Sequence, residues 1–128
     1  MNDGIRRSLS YGYEEALERV PEALKKEGFA VLTEIDVKET LKKKLDVDFR
    51  PYKILGACNP PFAHRALQET LAVGLMLPCN VVVYEDDEGK ATVNAIDPRQ
   101  TIGQDAPPPL QQLADEVRER LERVVRSL

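Results

Sequence analysis

The C-terminal segment carries the pattern that most constrains the fold of this chain. Its apolar side chains recur at the spacing of one helix face without interruption, at Leu110, Leu113, Ala114, Val117, Leu121, Val124, Val125 and Leu128. Acidic and basic side chains are interleaved on the other side, where pairs one turn apart stabilise a helix. We therefore predict an amphipathic helix of about 18 residues that packs against a sheet. The alternative is that part of its apolar face serves a dimer.

The N-terminal part predicts an edge strand followed by a helix. Residues 5–10 are short and mixed in character, as edge strands often are. From Tyr13 the apolar residues follow a helical period that stops at Gly28, a residue favoured at helix C-termini. Pro21 lies inside this helix. Because proline removes one backbone hydrogen bond, we expect a kink or a break near Val20.

A strand and a short helix come next. Residues 29–35 predict a strand that places Phe29, Val31 and Ile35 on one face. Asp36 followed by Glu39 resembles a capping box and predicts a helix over about nine residues, Val37–Leu45. Its three consecutive lysines, residues 42–44, are interpreted as a solvated face rather than a phosphate-binding patch.

A second junction between a strand and a helix follows residues 52–57, which predict another strand. Asn59 is a favoured N-cap, and Pro60 suits the first helical position. We expect the Asn59 side-chain oxygen to accept from the backbone N–H of Phe62, because Pro60 and Pro61 have no N–H to offer. On that account Asn59→Ala costs about 1 kcal/mol and Asn59→Asp is tolerated.

The next part of the chain predicts a hairpin. The strand Cys79–Glu85 contains three consecutive valines, which indicate burial on both faces. An acidic turn over residues 85–89 joins it to a partner strand over residues 90–96. Residues 97–109 are rich in proline and predict a loop that leads into the last helix. The predicted fold is one α+β domain, residues 1–128, with about five strands and a long C-terminal helix.

Composition excludes several classes of protein. The chain is 42% hydrophobic and 31% charged, which is typical of a folded globular domain. Its net charge of −4 repels phosphate backbones and anionic lipids, so we expect neither nucleic acid nor membrane as a partner. Two cysteines do not make a disulfide framework, and we expect a cytoplasmic protein with reduced thiols. Abundant charge of both signs and nine prolines are compatible with a thermophile.

Cys58, Cys79 and His64 are the candidates for metal or thiol chemistry. The cysteines lie 21 positions apart without the close pair of a typical zinc site, so we interpret them as buried apolar filler. The alternatives are a three-ligand metal site that includes Glu34 or Asp36, and a redox or nucleophilic Cys58 before a helix N-terminus. His64 is interpreted as a partly covered structural histidine rather than a general base. No motif of catalytic residues or phosphate-binding glycines is present.

Asp36 and Asn59 carry the preferred hypothesis for a binding site. Each occupies a junction between a strand and a helix. If both strands ended at the same edge of the sheet, Asp36, Asn59 and Cys58 would line one mouth beside two helix N-termini. Such a mouth suits a small polar or anionic ligand. His64 and Cys79 are included as further candidate binding residues, and capping alone is the alternative explanation for Asp36 and Asn59.

Several short motifs, in this order and spacing, resemble the DUF302 family of small bacterial and archaeal domains. They are Gly28-Phe29, Ile35-Asp36, Pro51, Cys58-Asn59-Pro60, Leu77-Pro78, and Glu85-Asp86 with Gly89. The resemblance implies a curved antiparallel sheet with helices on one face, similar to half of a TATA-binding-protein-like fold, and it implies homodimers. Many members have histidine directly after the Ile-Asp pair, where this chain has Val37, so any role of that histidine is absent here.

Three functions follow as hypotheses. The first is a non-catalytic homodimer that binds or senses a small ligand at the mouth of Asp36, Asn59 and Cys58, with no cofactor. The second is a thiol- or metal-dependent activity that uses Cys58, Cys79 and His64. The third is a purely structural dimer module.

Overall fold

A computed structural model describes residues 4–128 of the chain. Five strands form one antiparallel sheet in the order β1-β5-β4-β3-β2. The strands are β1 (Ile5–Ser8), β2 (Ala30–Asp36), β3 (Tyr52–Cys58), β4 (Cys79–Glu85) and β5 (Ala91–Ala95). The helices are α1 (Tyr13–Lys26), α2 (Val37–Leu45), α3 (Pro60–Glu69), α4 (Pro98–Thr101) and α5 (Pro108–Arg126), with a 3₁₀ helix over Leu71–Met76. The predicted α+β class is confirmed, with its five-stranded antiparallel sheet and long C-terminal helix.

The core lies between one face of the sheet and the helices α1 and α5. Val81 and Val83 of β4 and Val93 of β5 contribute from the sheet and are fully buried. The helices contribute Val20, Leu24, Leu121, Val124 and Val125. The C-terminal helix begins and ends close to the predicted positions because its apolar stripe is continuous. Within residues 4–128, no helix is both long and apolar enough to cross a membrane.

Helix α1 continues through Pro21. Of the kink or break predicted near Val20, the break is therefore wrong. The missing hydrogen bond is offset by burial on either side, since Val20 and Leu24 are both fully buried. The predicted end of the helix is correct. Gly28 adopts a φ of 86°, and the amides of Gly28 and Phe29 donate to the carbonyls of Lys25 and Leu24 at 3.0 Å.

Strand β2 contains a bulge that changes which side chains face the core. Val31 pairs with Ala57, but Thr33, two residues later, pairs with the adjacent Gly56. Leu32 is the extra residue, and the alternation of side chains reverses after it. Ile35 consequently faces away from the core and is 50% exposed. The prediction that Ile35 shares a face with Phe29 and Val31 is wrong for this reason.

The sheet face opposite the core, here called the outer face, carries a row of apolar side chains. Ile35, Ile54 and Val82 pair in register across three strands. Val82 is only partly buried, so the three valines of β4 are not all covered. Tyr52 and Tyr84 stack beside this row, with ring centroids 5.3 Å apart.

Two short helices occur where the sequence analysis placed none. The first is α4, within the predicted loop of residues 97–109. Asp97 caps it, and the Asp97 side chain accepts from the Arg99 amide at 3.0 Å. The 3₁₀ helix Leu71–Met76 begins at Thr70, whose hydroxyl accepts from the Ala72 amide at 3.3 Å. Both helices lie next to the cavity described below.

Candidate ligand-binding site

A cavity of about 60 Å³ lies at the end of the sheet where β3 ends and β4 begins. Ala57 and Cys79, which pair across these strands, form part of its floor. Helices α3, α4 and α5 and the 3₁₀ helix supply most of its remaining walls. The lining is almost entirely apolar and includes Phe29, Phe62, Ala66, Val73, Leu113 and Val117. The site therefore favours apolar atoms over charged ones.

Both cysteines line this cavity, and both are free thiols. Burial, with a smaller contribution from the charge of Cys58, raises the pKa of the Cys79 thiol to about 11. Cys79 is therefore protonated at neutral pH and is a poor nucleophile, because the thiolate is the reactive form. This agrees with the interpretation of Cys79 as an apolar wall residue.

Asn59 also lines the cavity and is 8% exposed, but its side chain does not cap α3. Its amide nitrogen Nδ2 donates instead to the carbonyl oxygen of Glu27 at 3.2 Å. The predicted bond from the Phe62 amide to the Asn59 side chain is therefore wrong. Gly28 leaves room for the observed contact, since a Cβ atom there would lie 3.0 Å from Nδ2. Asn59 thus joins the start of α3 to the end of α1.

The same carbonyl of Glu27 accepts a second bond. Nη1 of Arg120, on α5, donates to it at 3.2 Å. The carboxylate of Glu27 binds Arg123 of α5, with the Nη2 and Oε1 atoms 3.0 Å apart. Three helices therefore meet at Glu27, two residues before Phe29 of the cavity lining.

Asp36 lies at the opposite end of the sheet. It pairs with Lys53 at the start of β3, whereas Cys58 is the last residue of that strand. Five positions along a strand separate them by about 17 Å. The predicted mouth shared by Asp36, Asn59 and Cys58 is therefore wrong, because antiparallel strands end at opposite edges. Asp36 caps α2, accepting from the Glu39 amide at 3.0 Å, as the sequence predicts.

Charged groups surround Asp36. Lys53 lies 3.8 Å from Glu34, measured between Nζ and Oε1. Burial, followed by the charges of Asp36, Glu14 and Glu34, raises the pKa of Tyr13 to about 12. This end of the sheet is polar, whereas the cysteine end is apolar.

His64 is exposed on α3 and does not line the cavity. Within the described part of the chain, no three His, Cys, Asp or Glu side chains are grouped so that they could hold a metal ion. The structure therefore brings Cys58, Cys79 and Asn59 together and leaves His64 and Asp36 elsewhere.

A second, more open cavity of about 230 Å³ was not predicted from the sequence. It adjoins the first and is lined mainly by residues of the 3₁₀ helix and of the segment 101–106. Leu71 and Leu75 of the 3₁₀ helix are 85% and 86% exposed. The signal was available in the sequence, since the apolar run of residues 71–77 continues beyond the predicted helix without a polar face.

Ion pairs hold α4, which forms another wall, against α5. Nε of Arg118 on α5 donates to Oδ2 of Asp97 at 3.0 Å, and Asp97 is largely buried. Asp97 also caps α4, so one carboxylate fixes both the start of α4 and its position. Pro98 and Thr101 of this helix then reach the cavity.

Comparisons with known proteins agree on one family. Residues 5–128 match the family described as domain of unknown function DUF302. The chain is also similar to the crystal structure of an uncharacterized conserved protein, DUF302, from Bacillus stearothermophilus. The two are 38% identical, with a TM-score of 0.86 over 94% of each chain. No curated protein matches the chain significantly.

Proposed function

Because the chain belongs to the DUF302 family, whose function is unknown, we propose its function from its own geometry: a non-catalytic domain that binds or senses a small apolar molecule. The observation that carries this proposal is the apolar cavity between Ala57, Cys79 and helix α3. Ligand sites are typically concave and mostly apolar, with few polar groups. Asn59 and Thr101 are the polar residues that line this one.

The proposal changes the class of ligand expected from the sequence. A small polar or anionic ligand required Asp36 and two helix N-termini at one mouth, and Asp36 lies at the other end of the sheet. In the cavity, Asn59 has its amide nitrogen engaged with Glu27. An apolar molecule needs no further partner there and gains free energy by leaving water.

Filling the cavity tests this function. Ala63 lines the cavity from α3, so Ala63→Phe places a ring in it. The matched control is Gln68→Phe, on the exposed side of the same helix. Titration with 1-hexanol, followed by calorimetry and by thermal unfolding, is expected to show binding to the wild type and the control. Ala63→Phe is expected to bind at least tenfold more weakly. Equal binding to all three proteins contradicts the proposal.

We also propose that the domain is a homodimer that pairs through the outer face. Five strands about 4.8 Å apart and about 20 Å long present roughly 500 Å² of flat area. The exposed Phe49, whose ring centroid lies 6.2 Å from that of Tyr52, extends this surface toward the roughly 800 Å² per partner of a stable interface. The edges are less suitable for pairing, because β2 is bulged and β1 is short and carries Arg6 and Arg7.

Ultracentrifugation tests the homodimer. At tens of micromolar, the wild type is expected to sediment at twice the monomer mass of 14.4 kDa. Ile35→Glu, on the outer face, is expected to give monomers, whereas Leu71→Glu, a more exposed position on the 3₁₀ helix, is expected to leave the dimer intact. A wild-type monomer contradicts the proposal. A dimer that binds no apolar molecule supports the purely structural module instead.

A further inference from the structure

The cavity of about 60 Å³ and the more open cavity beside it, here called the closed part and the open part, adjoin each other. They share Val73, Met76, Thr101 and Ile102 as lining residues. The closed part reaches Cys79, and the open part is lined by Thr70 and Ala72, the sequence neighbours of the exposed Leu71. A ligand that fills both parts is therefore elongated.

The walls of the open part are more polar than those of the closed part. The closed part is lined almost entirely by apolar side chains. The open part adds Thr70, Gly103 and Asp105. Within residues 4–128, Asp105 is the only charged residue lining either cavity, and no lysine or arginine lines them.

The two threonines at the open end keep hydrogen-bonding capacity. The Thr70 hydroxyl accepts from the Ala72 amide at 3.3 Å, which leaves its O–H free to donate. The Thr101 hydroxyl donates to the carbonyl of Pro98 at 3.0 Å, which leaves its oxygen lone pairs free to accept. A hydroxyl or an ammonium group is satisfied at this position, whereas a carboxylate meets the negative charge of Asp105 with no lysine or arginine in the described lining.

We propose that the two parts are connected and that the ligand is an amphiphile with one unbranched alkyl tail and a neutral or cationic head. The tail occupies the closed cavity as far as Cys79, and the head lies at the open end beside Asp105. This inference rests on the proposed function, since it names the class of molecule that the apolar cavity takes. It excludes free fatty acids as the preferred ligands.

Calorimetric titration at pH 7 with 1-alkanols, alkylammonium ions and alkanoates of four to ten carbons tests the inference. Within each series, affinity is expected to rise about fourfold for each added methylene until the cavity is full. At equal chain length, the alkylammonium ion is expected to bind about fivefold more tightly than the alkanoate. Asp105→Asn is expected to bring that ratio close to one.

The matched control is Glu88→Gln, which removes one negative charge in the turn between β4 and β5. It is expected to leave the head-group preference unchanged. Alkanoates that bind as tightly as alkylammonium ions overturn the inference alone, because the cavity still takes apolar tails. If no member of any series binds, both the inference and the proposed function are contradicted. A preference unaltered by Asp105→Asn also overturns the inference.

Discussion

The two junctions where a strand leads into a helix look alike in sequence and differ in structure. Asp36 caps α2 with its side chain, whereas Asn59 reaches across to Glu27 of α1. The difference follows from what each side chain offers. Each helix has an N–H at its third position, Glu39 in α2 and Phe62 in α3, but the Asp36 carboxylate can only accept, whereas the Asn59 amide can also donate. A capping residue with a donor of its own can serve the tertiary structure instead.

The largest expected difference in stability comes from exchanging amide and carboxylate side chains at the two junctions. Asn59→Asp loses the donor to the Glu27 carbonyl and places a buried carboxylate against that carbonyl oxygen, so we expect a loss of about 3 kcal/mol in the free energy of unfolding. Asp36→Asn keeps a capping oxygen and is expected to change the free energy of unfolding by less than about 0.5 kcal/mol. Urea unfolding measures both. Asn59→Asp with wild-type stability contradicts the tertiary role of Asn59 and restores the capping account.

The stability of the protein is also expected to depend on alkaline pH, through Cys79 at the apolar end of the sheet. The pKa of Cys79 rises from 9.0 to about 11 on folding, so the folded state holds its proton more tightly. The resulting stabilisation, on the order of 2 kcal/mol, is fully present below pH 9 and is lost as the pH rises toward 11. Unfolding of wild type and Cys79→Ala between pH 8 and pH 11 measures it as their difference. Cys58→Ala, which keeps Cys79, is expected to retain most of the dependence.

Replacing Gly28 tests the contact between α1 and Asn59 from the other side. Gly28→Ala imposes a positive φ on alanine and places its Cβ 3.0 Å from the Asn59 amide nitrogen, so a loss of about 2 kcal/mol is expected. Gly89→Ala is the control, because Gly89 also has a positive φ of 78° but open space around its Cβ position. It is expected to lose about 1 kcal/mol. Equal losses for Gly28→Ala and Gly89→Ala in urea unfolding show that the close approach to Asn59 contributes nothing to the loss of stability.

The smallest of these effects is expected at the polar junction. Asp36→Ala removes the bond from the Glu39 amide, which corresponds to about 1 kcal/mol of stability for an N-cap. The cavity lies at the other end of the sheet, so the affinity for 1-hexanol is expected to stay within twofold of wild type. Calorimetry on this variant separates the two ends, and a large loss of affinity shows that they are coupled.

The fold was largely predictable because its signals are local and periodic. The apolar stripe of α5, the glycine that ends α1 and the cap of α2 each specify an element from neighbouring residues alone. The failures involve tertiary structure. Burial of Val20 and Leu24 outweighs the cost of Pro21, and the register of β2 with β3 separates Asp36 from Cys58. The site was predicted in part, since Cys58, Cys79 and Asn59 do line one cavity.

The bulge at Leu32 decides how sequences of this family are aligned. Before it, the odd-numbered Val31 lies on the core side of the sheet, opposite Ala57, and after it the even-numbered positions lie on that side, with Glu34 opposite Leu55. A relative that lacks one residue at this point keeps every later pair, from Thr33 with Gly56 to Asp36 with Lys53. An alignment gap placed after Thr33 instead would equate inward-facing with outward-facing positions up to that gap. A one-residue deletion belongs at the bulge, where it removes an unpaired residue and leaves the rest of the strand in frame.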